Sequence, residues 1–143
     1  MKVNVKLVEN LHFVGSARHF TNIHIDEPGS FKGSDKGPSS VEYLLMGIGG
    51  CLGSSLSFCL QKKSVKVDEM IINLDGKLKH TGPKMRLRLV KVDCNIFLSV
   101  KEGNQEDTEI CEEQFREFCV ITESIMKGIP ITVNIKKKNN KIN

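Results

Sequence analysis

Pro38-Ser39-Ser40-Val41-Glu42-Tyr43-Leu44-Leu45-Met46-Gly47-Ile48-Gly49-Gly50-Cys51 is the stretch that decides the fold of this chain. Ser39 or Ser40 can cap a helix, because a serine oxygen accepts one of the amides left unpaired at a helix start. Glu42 falls in the first turn, where the helix dipole favours a negative charge. Leu44, Leu45 and Ile48 continue into Leu52, Leu56 and Leu60 at helical spacing. The spacing predicts one helix over Ser40–Lys62, buried on much of its circumference. Gly47, Gly49, Gly50 and Gly53 each cost such a helix about 1 kcal/mol relative to alanine. Close approach of another backbone, such as the same helix of a second copy, would account for that cost.

The flanks read as strands. Val3, Val5 and Leu7 alternate with Lys2, Asn4 and Lys6. A second strand is expected over residues 11–14, a turn at Gly15-Ser16-Ala17, and a third strand over residues 20–26. Residues 27–40 form a loop rich in Gly, Pro and Ser. After the helix, Met70, Ile72, Leu74, Gly76 and Leu78 share one parity, and Thr81-Gly82-Pro83 turns the chain. Leu87 and Leu89 then share one parity and Val90, Val92, Cys94, Ile96, Leu98 and Val100 the other. That change predicts a bulge near Leu89 and Val90. Beyond Gly103-Asn104 a helix is expected with Ile110, Cys111, Phe115 and Phe118 on one face. A further helical turn or two follows Cys119 and ends near Gly128. Ile131, Val133 and Ile135 read as a closing strand. The order is strands, long helix, strands, helices, strand, an α+β pattern in a single domain, 1–143.

The chain has 143 residues, 39% of them hydrophobic, and no tryptophan. One compact domain fits that length, and burial through dimerisation would add to a modest core. The net charge of +4 comes partly from Lys136-Lys137-Lys138 and Lys141, a solvated tail. Without a basic stripe interleaved with aromatics, no nucleic-acid partner is expected. No signal peptide is evident, and no stretch looks apolar for the roughly 18 residues that span a bilayer. No membrane partner is therefore expected, and the location expected is cytoplasmic. Five cysteines do not form a secreted framework, and disulfides in a reducing compartment are usually catalytic or sensory.

Cys51 ends a run of small residues, where a substrate can reach it. A free thiol has a pKa of about 8.5, and attack requires the thiolate. Cys51 lies about three turns into its own helix, beyond the reach of that helix's dipole. A cation from elsewhere is therefore needed, and Arg18, after the first turn, is the best candidate. At roughly 100° per residue, Glu42 points to the opposite side of the helix from Cys51. Cys59, Cys94 and Cys111 read as core residues. Cys51 is either a reactive thiol or a buried small residue, and Cys119 is equally open. His12, His19 and His24 share the first strands and can cluster. No CxxC pair, P-loop or dinucleotide motif is present.

The 38–51 stretch, the later Cys119-Val120-Ile121-Thr122 and the order of elements resemble the OsmC/Ohr superfamily of osmotically inducible and organic hydroperoxide resistance proteins. The resemblance covers nearly the whole chain. It implies an OsmC-like fold, with antiparallel sheets around a long central helix, in an intertwined homodimer. It further implies a peroxidatic thiol at Cys51, a resolving thiol at Cys119, an assisting arginine at Arg18 and a carboxylate at Glu42. The implied substrate is an organic, and by extension inorganic, hydroperoxide. The implied cofactor is none, with an external dithiol as reductant. Two departures stand out. Cys119 lacks the proline that often follows it in the peroxidase branches. Val41 occupies the place, ten residues before the thiol, where those branches carry glutamate, and Glu42 is one residue nearer. This is the pattern of the OsmC-like branch. The alternative function is a redox sensor or small-molecule-binding dimer.

Overall fold

The computed structural model describes residues 1–101 and 105–136. Gly103, Asn104 and the lysines from Lys137 onward lie outside them. Strands β1 (Val3–Glu9), β2 (His12–Ala17) and β3 (Phe20–Ile25) form a three-stranded antiparallel meander. The expected turn at Gly15-Ser16-Ala17 is corrected: these residues belong to β2. Ala17 pairs with Phe20, so Arg18 and His19 make the turn, with Arg18 at φ 55°.

The loop before the helix is organised by Asp26, which is only 1% exposed. Its carboxylate accepts the amides of Glu27 (2.8 Å), Ser34 (3.1 Å) and Lys36 (3.2 Å). Burial opposes its charge, but these three amides outweigh burial and hold the carboxyl below its ordinary value. The loop thus delivers Ser39 to the start of helix α1 (Ser40–Lys62). Ser39 Oγ accepts the Glu42 amide at 3.3 Å, and the Glu42 carboxylate accepts the Ser39 amide at 2.6 Å. The result is a reciprocal capping box.

Two fifteen-residue strands follow, β4 (Val67–Thr81) and β5 (Arg86–Val100), paired as one antiparallel ribbon. Lys77 pairs with Lys91 and Leu78 with Leu89, so Val90 has no partner and the expected bulge is present. Helix α2 (Gln105–Gln114) leads through a 3-10 turn (Phe115–Phe118) into helix α3 (Val120–Lys127).

One stripe of α1 forms the core. Ile48, Leu52, Leu56 and Leu60 pack with Val65, Cys111, Phe115 and Cys119, and with the inward side chains of the ribbon. Burial around much of the helix is corrected to burial along this stripe, because Leu44, Met46 and Phe58 are exposed. The reason offered for the glycines is also corrected. A methyl carbon on Gly49 would meet Leu74 Cδ1 at 2.5 Å, and one on Gly53 would meet Ile72 Cδ1 at 2.6 Å. These two admit the side chains of β4 in the same chain. Gly47 and Gly50 face open space.

Two further expectations change. Residues 128–136 form no strand within this chain, and Ile131, Val133 and Ile135 are exposed. A strand needs a hydrogen-bonded neighbour, and among the described residues no strand pairs with this segment. Helix α1 also has the length and composition to cross a membrane, with an 18-residue window of mean hydropathy 1.5. That corrects the statement that no stretch is apolar enough. Core packing of its buried stripe against β4, α2 and α3 accounts for that apolar character.

Candidate functional site

Cys51 lies half-buried in the middle of α1, and Cys119 is fully buried at the residue that caps α3. The fold packs Cys51 against the core cluster that contains Cys119, close enough that each thiol shifts the other's ionisation. Their meeting place is the first turn of α3. The backbone of Ile121 and Val120 favours charge on the Cys51 sulfur. The backbone of Thr122 and Ile121 favours charge on the Cys119 sulfur. The Thr122 hydroxyl lies 3.0 Å from Cys119 Sγ. A helix start is rich in unpaired amides, so one short helix serves both sulfurs with partial positive charge.

The two thiols respond differently. Burial is the largest influence on Cys51 and pushes its thiol up, joined by contact with Cys119, while the Ile121 and Val120 amides act the other way. Burial also opposes charge on Cys119. There the Thr122 hydroxyl, the Cys51 thiol and the two amides together prevail, and the thiol is held below its ordinary value. The two directions together favour charge on Cys119 over charge on Cys51. Such a pair can pass a proton between its members and can close as a disulfide.

Arg18 and Glu42 lie apart from this pair. The Arg18 guanidinium sits over the ring of Phe20, 5.1 Å from its centroid. The principal influences on Cys51 are burial, Cys119 and the α3 amides, with no arginine among them. Glu42 is engaged in its capping box, and the Ser39 amide and hydroxyl keep its carboxyl below the ordinary value. It lines a groove of about 980 Å³ between α1 and β4, together with Gly50, Gly53, Phe58, Met70 and Ile72.

Two features escaped the sequence reading. The first is the start of α3, where a cysteine followed three residues later by threonine is the local signal. The second is a disulfide between Cys59 and Cys111, which corrects the reading of both as isolated core residues. Each does face the core, as its spacing indicated, but spacing within one helix does not reveal what faces it from another. The expected clustering of histidines is met in part, by the pairing of His12 with His24. Their rings stack, and His12 Nε2 lies 2.9 Å from His24 Nδ1.

Comparison with known proteins agrees with this architecture. The protein is similar to Protein YhfA of Escherichia coli K12, with 24% identity over 135 residues, covering 92% of this chain and 94% of that protein. Its fold is similar to that of an OsmC-like protein from Mycoplasma pneumoniae, with a TM-score of 0.73 and 14% identity over 90% of this chain and 87% of that one. It is also similar to an organic hydroperoxide resistance protein OsmC from Legionella pneumophila, with a TM-score of 0.61 and 14% identity over 87% of each chain. OhrB, the organic hydroperoxide resistance protein of Bacillus subtilis, matches with a TM-score of 0.57 and 15% identity over 85% of this chain and 87% of that one. The family model described as OsmC-like protein matches residues 33–134, so this chain, with its α+β arrangement of antiparallel sheets around a long helix, belongs to the OsmC-like protein family.

Proposed function

We propose that the protein is a thiol-dependent peroxidase that reduces organic and inorganic hydroperoxides in oxidative-stress defence. The observation that carries this reading is the contact between Cys51 and Cys119 at the start of α3. The likeness to organic hydroperoxide resistance proteins supports the substrate class.

The steps balance as follows. Cys51 sulfur attacks the distal oxygen of ROOH while its proton passes to Cys119. The O–O bond breaks, the alkoxide takes a proton and leaves as ROH, and Cys51 becomes a sulfenic acid. Cys119 then attacks the Cys51 sulfur and water leaves, which gives the 51–119 disulfide. A dithiol reductant of the cytoplasm returns both thiols and leaves as its own disulfide. Arg18 contributes from a second copy in a homodimer, where its fork would hold the Cys51 thiolate and the peroxide, and Glu42 orients it. The test is stopped-flow oxidation with cumene hydroperoxide. Cys51→Ser is expected to lose hydroperoxide consumption, and a variant as fast as the parent would overturn the assignment.

A second reading has one observation in its favour. Burial keeps the Cys51 thiol protonated in a single chain, which suits a slow redox sensor or a small-molecule-binding dimer. A Cys51 that fails to form a sulfenic acid during turnover-length exposure to hydroperoxide would favour it.

A further inference from the structure

Cys51 and Cys59 are eight residues apart on α1, and Cys111 and Cys119 are eight residues apart on the segment that crosses it. Cys51 faces Cys119, and Cys59 is bonded to Cys111. The two segments thus run antiparallel, joined by two sulfur pairs about 12 Å apart along α1 at 1.5 Å per residue. The outer pair is a covalent bond, and the inner pair is the site.

We propose that the Cys59–Cys111 disulfide is a positioning bond that holds Cys119 against Cys51 so that the inner pair can close. The proposal rests on reading Cys51 and Cys119 as a working thiol pair. The argument begins with α2. Its ten residues, Gln-Glu-Asp-Thr-Glu-Ile-Cys-Glu-Glu-Gln, bury only Thr108 and Cys111. A helix so polar has little apolar footing on α1. Its Lys63–Asp107 ion pair, at 3.1 Å, is exposed on both sides and holds it weakly. What seats α2 is the bond through Cys111, with the buried Thr108 beside it. From there the chain has only Phe115 buried before it reaches Cys119. Opening the bond would leave the approach to Cys119 held by one aromatic ring. At 12 Å the outer sulfurs do not exchange directly with the inner ones, so the effect is one of placement.

The test is the equilibrium of the 51–119 pair with a glutathione buffer. Glutathione disulfide accepts two electrons from the two thiols and leaves as two glutathione thiols. The ratio of closed to open pair, read by mass spectrometry of the 51–119 peptide, gives the effective concentration of one thiol at the other. The parent, with Cys59–Cys111 closed, is compared with Cys59→Ala/Cys111→Val, which refills the buried volume. Circular dichroism checks that the variant is folded, and Cys111→Ser alone is the second variant if it is not. The expected result is a roughly tenfold or greater fall in effective concentration once the outer bond is absent. Equal values with and without the bond would overturn the proposal, as would a 51–119 pair that closes in neither chain. With cumene hydroperoxide, the variant is expected to accumulate Cys51 sulfenic acid, trapped by dimedone, because its resolution by Cys119 is slowed. A variant that accumulates no more Cys51 sulfenic acid than the parent would also count against positioning. The glutathione measurement uses no hydroperoxide. A parent whose Cys51 ignores hydroperoxide therefore sinks the peroxidase reading, while the glutathione ratio decides the role of the bond.

Discussion

Cys119 stands where a helix leaves its first amides without partners, and that position shapes its acidity more than any side-chain cation described near it. The sign of its coupling to stability follows. Its thiol is held low in the fold, so its donors add stability above the ordinary thiol value, and that gain is lost as pH falls through the folded value. Cys51 behaves in the opposite way. Burial favours its protonated form, and that contribution is lost as pH rises through the raised value. In a Cys94→Ala background, which removes the other free thiol, ultraviolet thiolate absorbance is expected to rise in two steps. The first falls below the usual thiol range and the second above it. A single step at the ordinary value would show that α3 does not act on the pair. The sequence marked both residues as candidates but supplied no donor. It assigned the work to Arg18, because nothing in a linear pattern says that one helix will end its approach on another helix's thiol.

At the level of elements, α1 is the part most open to reading. Its span coincides with the leucine spacing and its cap with the serine, because both signals are local. Replacing Ser39 by alanine removes one acceptor of the capping box and is expected to cost about 1 kcal/mol. Urea unfolding of Ser39→Ala checks this, and an unchanged midpoint would mean that Glu42 alone satisfies the helix start. The parity change in β5 was equally legible, since period two is local as well. Less legible was the end of β2. Glycine, serine and alanine usually mark a turn, but here Gly15 and Ala17 pair with β3 through cross-strand bonds that propensity does not contain. The Cys59–Cys111 bond was hidden for the same reason, as it depends on a crossing of two helices 52 residues apart in sequence.

The whole molecule leaves unfinished surfaces. Leu44, Met46 and Phe58 are exposed along α1, and Ile129, Ile131, Val133 and Ile135 are exposed after α3. Apolar groups at this density are expected to be covered by a second copy of the chain. Sedimentation equilibrium is expected to give twice the 16.0 kDa of one chain. Phe58→Glu, which would bury an unpaired charge, is expected to raise the dissociation constant at least about tenfold. A monomeric mass would remove the homodimer and, with it, the delivery of Arg18 from a neighbour. An unaffected dimer would move the interface off this face.

Val90 carries one last consequence. Leu87 and Leu89 point inward before it and Val92 and Cys94 point inward after it, while Val90 and its neighbour Lys91 both face outward. Removing Val90 would leave each of those faces as it is, so the residue does nothing for sidedness. What it contributes is curvature, because one surplus residue on a single rail makes a ladder bow. The ribbon is arched by a count of residues rather than by their chemistry, and a shortened rail would straighten it away from the helix it embraces.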